Sequence, residues 1–465
     1  MATHSNVDSP SASVSSMLDT LTQGHGLYDN VRVPVRLLTY IKKQYQLANE
    51  QRDSARLAGV EDDTILDDTI DDLEVRSTLR QYFSSDTAKS RPKSQRQRRT
   101  SAESLKLVQQ VLKQQRMSNR QEDIDHFLAL LWHLCQRKHT VAFSDLTDAR
   151  RAAILHQYTH LSTWGVDVLQ IRRVFSNIPG SELVFVVLCA IHKLKLANYI
   201  VCFAGRDKVW DMYAKLANYV WAVADSYQDN PYHNVAHAAD VTVTCFSFLA
   251  DDCGGLAAVL GPELQLAFII AACIHDAGHV GVSNNFLVAV EHPLAVQYND
   301  FSPLEQLHCA TGFSTLRETG CNFLETFREQ KREDYTKVRK VIIQLVLGTD
   351  MKHHFKNMAV LKNLVEDETA DHGQTTSFKL LDILGDEDKL LLVLKQCLHA
   401  ADISNPAKPW ASCKFWTDCV MEEFYDQGDR ERQLGLPISH GMDRLNPIPL
   451  PTFQIGFIKA LVKPL

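Results

Sequence analysis

From about Gln157 onward, apolar positions recur three or four residues apart, with little of the alternation that marks strands and few of the turn dipeptides an all-β domain needs. The pattern predicts helix after helix. Leu183 to Ile191, the most apolar stretch, reads as a core helix. Leu264 to Ile274 reads as an apolar helix that ends on His275 and Asp276, and Leu390 to Ala401 as another that ends on Asp402. Val338 to Leu347 has the look of a further buried helix, with Thr349, Asp350 and Met351 at its mouth. Polar groups at the ends of packed helices are held on a rigid scaffold, as a metal site requires. The expected fold is all-α, with a deep pocket between helices.

Ahead of that region the pattern changes. The first two dozen residues are rich in Ser, Thr and small polar types, a composition that cannot bury enough apolar surface to order itself, and they are expected to be disordered. Val31 to Leu57 has helical spacing and reads as a docking helix. An acidic run from Glu61 to Glu74 is followed by a polar and basic run from Ser84 to Ser104, two blocks of opposite sign that read as solvated linker. A second helical section, Ala102 to Arg137, leads onward. The expected organisation is a partly disordered, regulatory region over 1–156 and a compact helical domain over 157–465.

Composition narrows the partners. With 465 residues, 45% hydrophobic and 23% charged, the chain can bury a large core. A net charge of -7 gives no reason to expect nucleic-acid binding, although metal ions can supply local positive charge for an anionic phosphate. Eleven cysteines occur without a Cys-x-x-Cys pair, and Cys189, Cys273 and Cys397 lie in apolar helical stretches where a reduced thiol acts as a small hydrophobe, so a cytoplasmic location is expected. The Met1 end shows no charged segment followed by an apolar run. Leu183 to Ile191 is about half the length of a membrane span, so neither secretion nor membrane insertion is expected.

The chemistry concentrates in a few words. His233 and His237, four residues apart, are expected to project from one side of a helix, and His275-Asp276 with the remote Asp402 complete a nitrogen and oxygen cage for a divalent ion. A lone His on an apolar helix is more often a hydrogen-bonded core residue. The ordered combination His, His-Asp, Asp points instead to a metal-dependent phosphohydrolase of the HD type.

The surrounding motifs are longer. His275-Asp276-Ala277-Gly278-His279-Val280-Gly281-Val282-Ser283-Asn284-Asn285-Phe286, Ala401-Asp402-Ile403-Ser404-Asn405-Pro406-Ala407-Lys408-Pro409-Trp410 and Phe453-Gln454-Ile455-Gly456-Phe457-Ile458 follow Tyr232 to Asp240 in order. In order and spacing the chain resembles the class I cyclic nucleotide phosphodiesterases over Gln157 to Leu465. That resemblance implies two divalent ions, zinc at a first site made by His237, His275, Asp276 and Asp402, and magnesium or manganese at a second that Asp276 also reaches. It implies that His233 protonates the leaving ribose oxygen, and that His279, Glu305, Thr349 and Asp350 orient water around the metals. It also implies a substrate pocket of Tyr232, Asn405, Gln454 and Phe457. There the Gln454 amide meets the purine edge, Phe457 stacks on the ring, and Asn405 occupies a position where adenine-preferring members carry Asn.

The implied reaction is hydrolysis of a 3',5'-cyclic nucleotide, cAMP to 5'-AMP, in cyclic nucleotide signalling. Three alternatives stay open: a dual cAMP and cGMP enzyme, another HD-type nucleotide phosphohydrolase, and a pseudoenzyme that keeps the fold. Two departures from the family pattern stand out. Val280 replaces a usual Pro, which is expected to loosen that turn, and the chain stops at Leu465, so that helices closing one side of the pocket are expected to be missing. Arg98-Arg99-Thr100-Ser101 matches what a basophilic kinase such as the cAMP-dependent kinase prefers, making Ser101 a candidate modification site. A homodimer is left open.

Overall fold

The computed structural model describes residues 124–136, 146–202, 205–250, 254–366 and 386–465. The expectations for the first two dozen residues, for Val31 to Leu57, for the acidic and basic runs and for Ser101 lie outside them, as do residues 102–123 and 137 of the second helical section. What is described of that section is helical over 124–134. Among the described residues there is no strand, and the all-α expectation holds. The described residues fall within one compact unit, Ser118–Leu465.

The helices of this unit include α1 (Ser181–Lys193), α2 (Arg206–Ser226), α3 (Val235–Leu249), α4 (Pro262–Ile274), α5 (Pro303–Thr315), α6 (Arg332–Leu347), α7 (Glu387–Asp402), α8 (Trp410–Gln433) and α9 (Leu450–Phe457). A helix that is apolar all round belongs inside. Accordingly α1 is buried from Ser181 to Ile191 and α4 from Gln265 to Ile274. Pro262 opens α4 at the position where a missing N–H leaves no bond unmade. Central α4 packs against α1, α3, α5, α6 and α7, while α3 packs against α1 and α7. The same core takes in Phe127, Leu131 and Trp132, ahead of Gln157.

The start of α3 corrects one expectation. Asn234 is extended (φ -125, ψ 179), and its side chain accepts hydrogen bonds from the N–H groups of Ala236 at 2.9 Å and His237 at 3.3 Å. Such a cap contributes about 1 kcal/mol by satisfying amides that have no partner within the helix. The helix therefore begins at Val235, and His233 precedes it instead of sharing its face with His237. The two rings still meet edge to face with centroids 5.8 Å apart.

Helix α8 buries Trp416, Thr417, Met421, Glu423, Gln427, Gly428 and Glu431 along one side. A side chain at Gly428 would start 1.8 Å from the Met442 carbonyl oxygen, so only glycine lets the loop over 434–449 lie directly on α8. Glu431 accepts from the Ser439 backbone N–H and hydroxyl, each at 2.7 Å, and Arg444 reaches Glu422, Asp426 and Asp429 at 2.8, 2.8 and 3.0 Å. That loop leads straight into α9, none of whose residues is fully buried. No helix of the described residues is long and apolar enough to cross a membrane. The described cysteines are free thiols.

Candidate metal centre and substrate pocket

Three helix ends converge. The first turn of α3 supplies His237, the residues closing α4 supply His275 and Asp276, and α7 ends on Asp402. His237 Nε2 lies 3.0 Å from Asp402 Oδ1 and 3.5 Å from Asp276 Oδ2. His275 Nε2 lies 3.1 Å from Asp276 Oδ2 and 3.5 Å from Asp402 Oδ1. One donor atom from each of the four falls within 4.8 Å of the others, and both histidines are fully buried.

The hydrogen bonding fits a cation. His275 Nδ1 donates to the Ala272 carbonyl at 2.9 Å, which leaves Nε2 of the neutral ring as a lone pair aimed at two carboxylates. That Nε2 is buried without a hydrogen-bond partner. Burial opposes charge here, yet Asp276 and Asp402 hold His275 well above the usual histidine range, and His275 in turn holds Asp276 well below the carboxylate range against its own burial. Two imidazoles and two carboxylates in one buried space favour a positive charge among them, and a divalent ion on these four donors meets that demand.

Asp276 faces two ways. While Oδ2 points into this cluster, Oδ1 lies 3.6 Å from His308 Nε2, and His308 Nδ1 donates to the Ala277 carbonyl at 2.8 Å. Burial pushes His308 down to about 4. His308 was not singled out from sequence, although its place three residues after Glu305 puts both on one face of α5. Gly278, at φ +80, lets the chain turn so that the His279 N–H meets the Asp276 carbonyl at 3.0 Å. Val280 stands in that turn, and Asn230 braces it by donating to the His279 carbonyl at 2.8 Å and the His233 carbonyl at 3.0 Å.

A second group stands beside the first. His233 Nδ1 makes a short hydrogen bond to Glu423 Oε1, while Glu423 Oε2 accepts from the N–H groups of Tyr232 and His233, each at 2.9 Å. Burial pulls His233 down, but the charge and hydrogen bond of Glu423 outweigh it and raise the ring to about 9. Against its own burial, Glu423 is held at about 2 by His233. His279 stacks on His233 at 3.9 Å. Its Nδ1 accepts from the Gly281 N–H at 3.0 Å, so its proton sits on Nε2 and no lone pair remains there for a metal. His233, His279 and Glu423 therefore form one hydrogen-bonded and stacked group in which Glu423 keeps a proton on His233. Sequence reasoning missed Glu423. The available signal was a carboxylate on the apolar stripe of α8, between Trp416, Val420 and Phe424.

Replacing Glu423 with Gln removes the charge that holds the proton on His233. Were His233 the proton donor of a reaction in this site, it would work only while protonated, and activity would be lost as pH rises through its pKa. In the Glu423→Gln variant the alkaline limb of the kcat/KM profile is expected to move to lower pH by about one unit or more, with activity near pH 6 least affected. A pH–rate profile checks this, and an unmoved alkaline limb counts against the pairing.

Both groups open into one cavity of about 600 Å3. Its lining includes Tyr232, His233, Asp276, His279, Glu305, Thr349, Asp350, Asp402, Asn405, Gln454 and Phe457, with Trp416, Phe424 and Phe453 as further aromatic walls. His237 and His275 stand behind Asp276 and Asp402. Glu305 is raised to about 7 by burial and then by the charge of Asp350, and Asn284 Nδ2 donates to both its oxygens at 2.9 and 3.2 Å. Asp350 caps the short turn Met351–His353 and pairs with Lys352 at 2.9 Å. Thr349 donates to the Val346 carbonyl at 2.8 Å. Asn405 Nδ2 donates to the Tyr232 hydroxyl at 2.5 Å. Gln454 and Phe457, one turn apart on α9, are half-buried while Ile455 and Gly456 between them are exposed. A larger groove of about 930 Å3, with Glu263, Lys337, Lys340 and Glu387 in its walls, has no histidine or cysteine in its lining.

A family model described as 3'5'-cyclic nucleotide phosphodiesterase matches residues 232–465, half of the chain. The chain belongs to this family. It is 35% identical over 309 residues to the Drosophila melanogaster 3',5'-cyclic-AMP phosphodiesterase, isoform F, covering 66% of this chain and 43% of that protein. With the Mus musculus 3',5'-cyclic-AMP phosphodiesterase 4C it shares 36% identity over 306 residues, or 65% of this chain and 41% of that one. The chain thus spans less than half the length of these curated relatives. Among solved structures, the phosphodiesterase domain of the RhoPDE fusion protein from the choanoflagellate Salpingoeca rosetta is similar, with a TM-score of 0.54 and 28% identity over 67% of this chain and 88% of that one.

Proposed function

We propose that this chain hydrolyses a 3',5'-cyclic nucleotide, cAMP to 5'-AMP, with His237, His275, Asp276 and Asp402 holding zinc and His233 acting as general acid. The observation that carries the reading is that His233, held by Glu423, and Asp276 and Asp402 of the four-donor cluster line one cavity with Gln454 and Phe457. Imidazole and carboxylate together suit zinc. Magnesium or manganese, which keeps most of its water, suits a second position reached through Asp276, with His279, Glu305, Thr349 and Asp350 orienting that water. Two divalent ions held there would supply a lowered pKa for a water and positive charge for the phosphate oxygens.

This chain's own residues do the rest. Glu423 keeps a proton on His233 and fixes the ring through Nδ1, so that Nε2 presents its proton to the ribose oxygen that leaves when the cyclic ester opens. Phe457 offers its face to the base, and the Gln454 amide on the same side of α9 fixes orientation. Asn405 favours adenine. Its Nδ2 is engaged by Tyr232, which leaves Oδ1, buried and without a protein partner, as an acceptor for an exocyclic amino group. Guanine presents an acceptor at that position, and two acceptors repel.

Turnover measured with cAMP and cGMP after metal supplementation is expected to favour cAMP, and cGMP cleavage without cAMP cleavage overturns the nucleotide assignment. Gln454→Ala is expected to lower kcat/KM by about 10- to 100-fold, the scale of a lost buried hydrogen-bonding group. Indifference to that change, together with cleavage of mononucleotides, favours a different HD-type phosphohydrolase.

A further inference from the structure

After Asp402 the chain makes a short turn, Asn405–Ala407, which brings Asn405 and Pro406 into the wall of the cavity. Its backbone bonds are local: Ala407 N–H to the Ser404 carbonyl at 2.9 Å and Lys408 N–H to the Asn405 carbonyl at 3.2 Å. Such a turn needs outside anchors to hold one position. Trp164 Nε1 donates to the Ala407 carbonyl at 3.0 Å, but that indole is more than a third exposed. A buried anchor is Lys408, whose Nζ lies 2.5 Å from Asp240 Oδ2, with side-chain exposures of 1% and 3%.

Asp240 lies on α3, three residues beyond His237 and thus about one helical turn away. The pair therefore ties the turn that carries Asn405 to the helix that carries His237. Asn405 meets Tyr232, whose ring lies 4.4 Å from that of His237, so the two connections close a loop around the pocket wall. Burying two opposite charges is a poor way to add stability, because their desolvation offsets most of their attraction, and an apolar pair of similar volume often holds a fold as well or better. What a buried ion pair adds is a fixed pairing, since separating the two groups would leave each charge buried and uncompensated.

We propose that Asp240 and Lys408 are positioning residues whose buried ion pair sets where Asn405 stands in the nucleotide pocket. The proposal rests on the cyclic-nucleotide reading of the site for its functional consequence, and on geometry alone for its structural one. The double variant Asp240→Leu, Lys408→Met replaces both charges with apolar groups of similar size and leaves neither partner unpaired. It is expected to stay folded and keep its metal, while KM for cAMP rises about tenfold, the scale of one misplaced hydrogen bond, and kcat changes little. In an Asn405→Ala background the same double change should add almost nothing to KM, because the clamp acts through Asn405. A lowered melting temperature with unchanged KM, or full additivity with Asn405→Ala, assigns the pair a structural role only and overturns the proposal. If the double variant does not fold, Asp240→Asn, Lys408→Gln, which replaces both charges with neutral hydrogen-bonding groups, is read in the same way.

Amide hydrogen exchange separates this proposal from the function it serves. Residues 403–408 are expected to exchange about tenfold faster in the double variant, with the interior of α3 unchanged. Unaltered protection there sinks the clamp even if cAMP is hydrolysed. Absence of cyclic-nucleotide turnover in the unmodified protein sinks the proposed function and leaves the exchange result to judge the clamp.

Discussion

Replacing His233 with Asn is expected to lower kcat for cyclic nucleotide by about 10² to 10⁴ fold, the range typical of a lost general acid, while metal content and fold are retained. The size of the effect follows from what leaves the molecule. Asparagine has no proton to give at neutral pH, so the ribose oxygen must depart as an alkoxide or take its proton from water. Metal retention follows from geometry: His233 lies before α3, bonded to Glu423, and belongs to a different group of side chains from His237, His275, Asp276 and Asp402. Steady-state rates with metal analysis on the same sample make the check. Equal loss of metal in His233→Asn and His237→Asn would show that the division of roles is wrong.

Removing Asp402 is expected to have the largest effect on metal itself. In an Asp402→Ala variant, zinc affinity should fall by more than the roughly 10- to 100-fold that losing a mere outer partner costs, and activity should fall with it. Asp402 Oδ1 sits 3.0 Å from His237 Nε2 and 3.5 Å from His275 Nε2, so its loss takes one of two carboxylates from a buried set and leaves both imidazoles facing Asp276 alone. Since metal binding to a buried site contributes to folding stability, chelation should lower the melting temperature of the unmodified protein and should matter little in the variant. Full zinc occupancy in Asp402→Ala, measured by elemental analysis, would refute the ligand set.

Much of this centre was legible along the chain because its parts are local. Apolar stretches long enough to be core helices end on His275, Asp276 and Asp402, and the rigid end of a helix carries its terminal residues to a definite place. Gln454 and Phe457 share a face by helical spacing alone. The misplacement of His233 was a local error too. The four-residue spacing suggested one shared helix, whereas the Asn234 side chain captures the first amides and starts the helix two residues after His233.

What only the tertiary structure decided are the pairings between distant residues. Glu423 lies 190 positions from His233, and Lys408 lies 168 from Asp240. On the chain, Glu423 is one carboxylate in an acidic helix and Lys408 one lysine between prolines. Their roles arise from burial, which removes the water that would screen each charge and leaves a single opposite charge within reach. Sequence by itself determined the helices, the order of the histidines and aspartates and the family resemblance, because spacing and side-chain chemistry are written residue by residue. The partner of each buried charge depends on which helix faces are packed together, and that is a property of the folded chain.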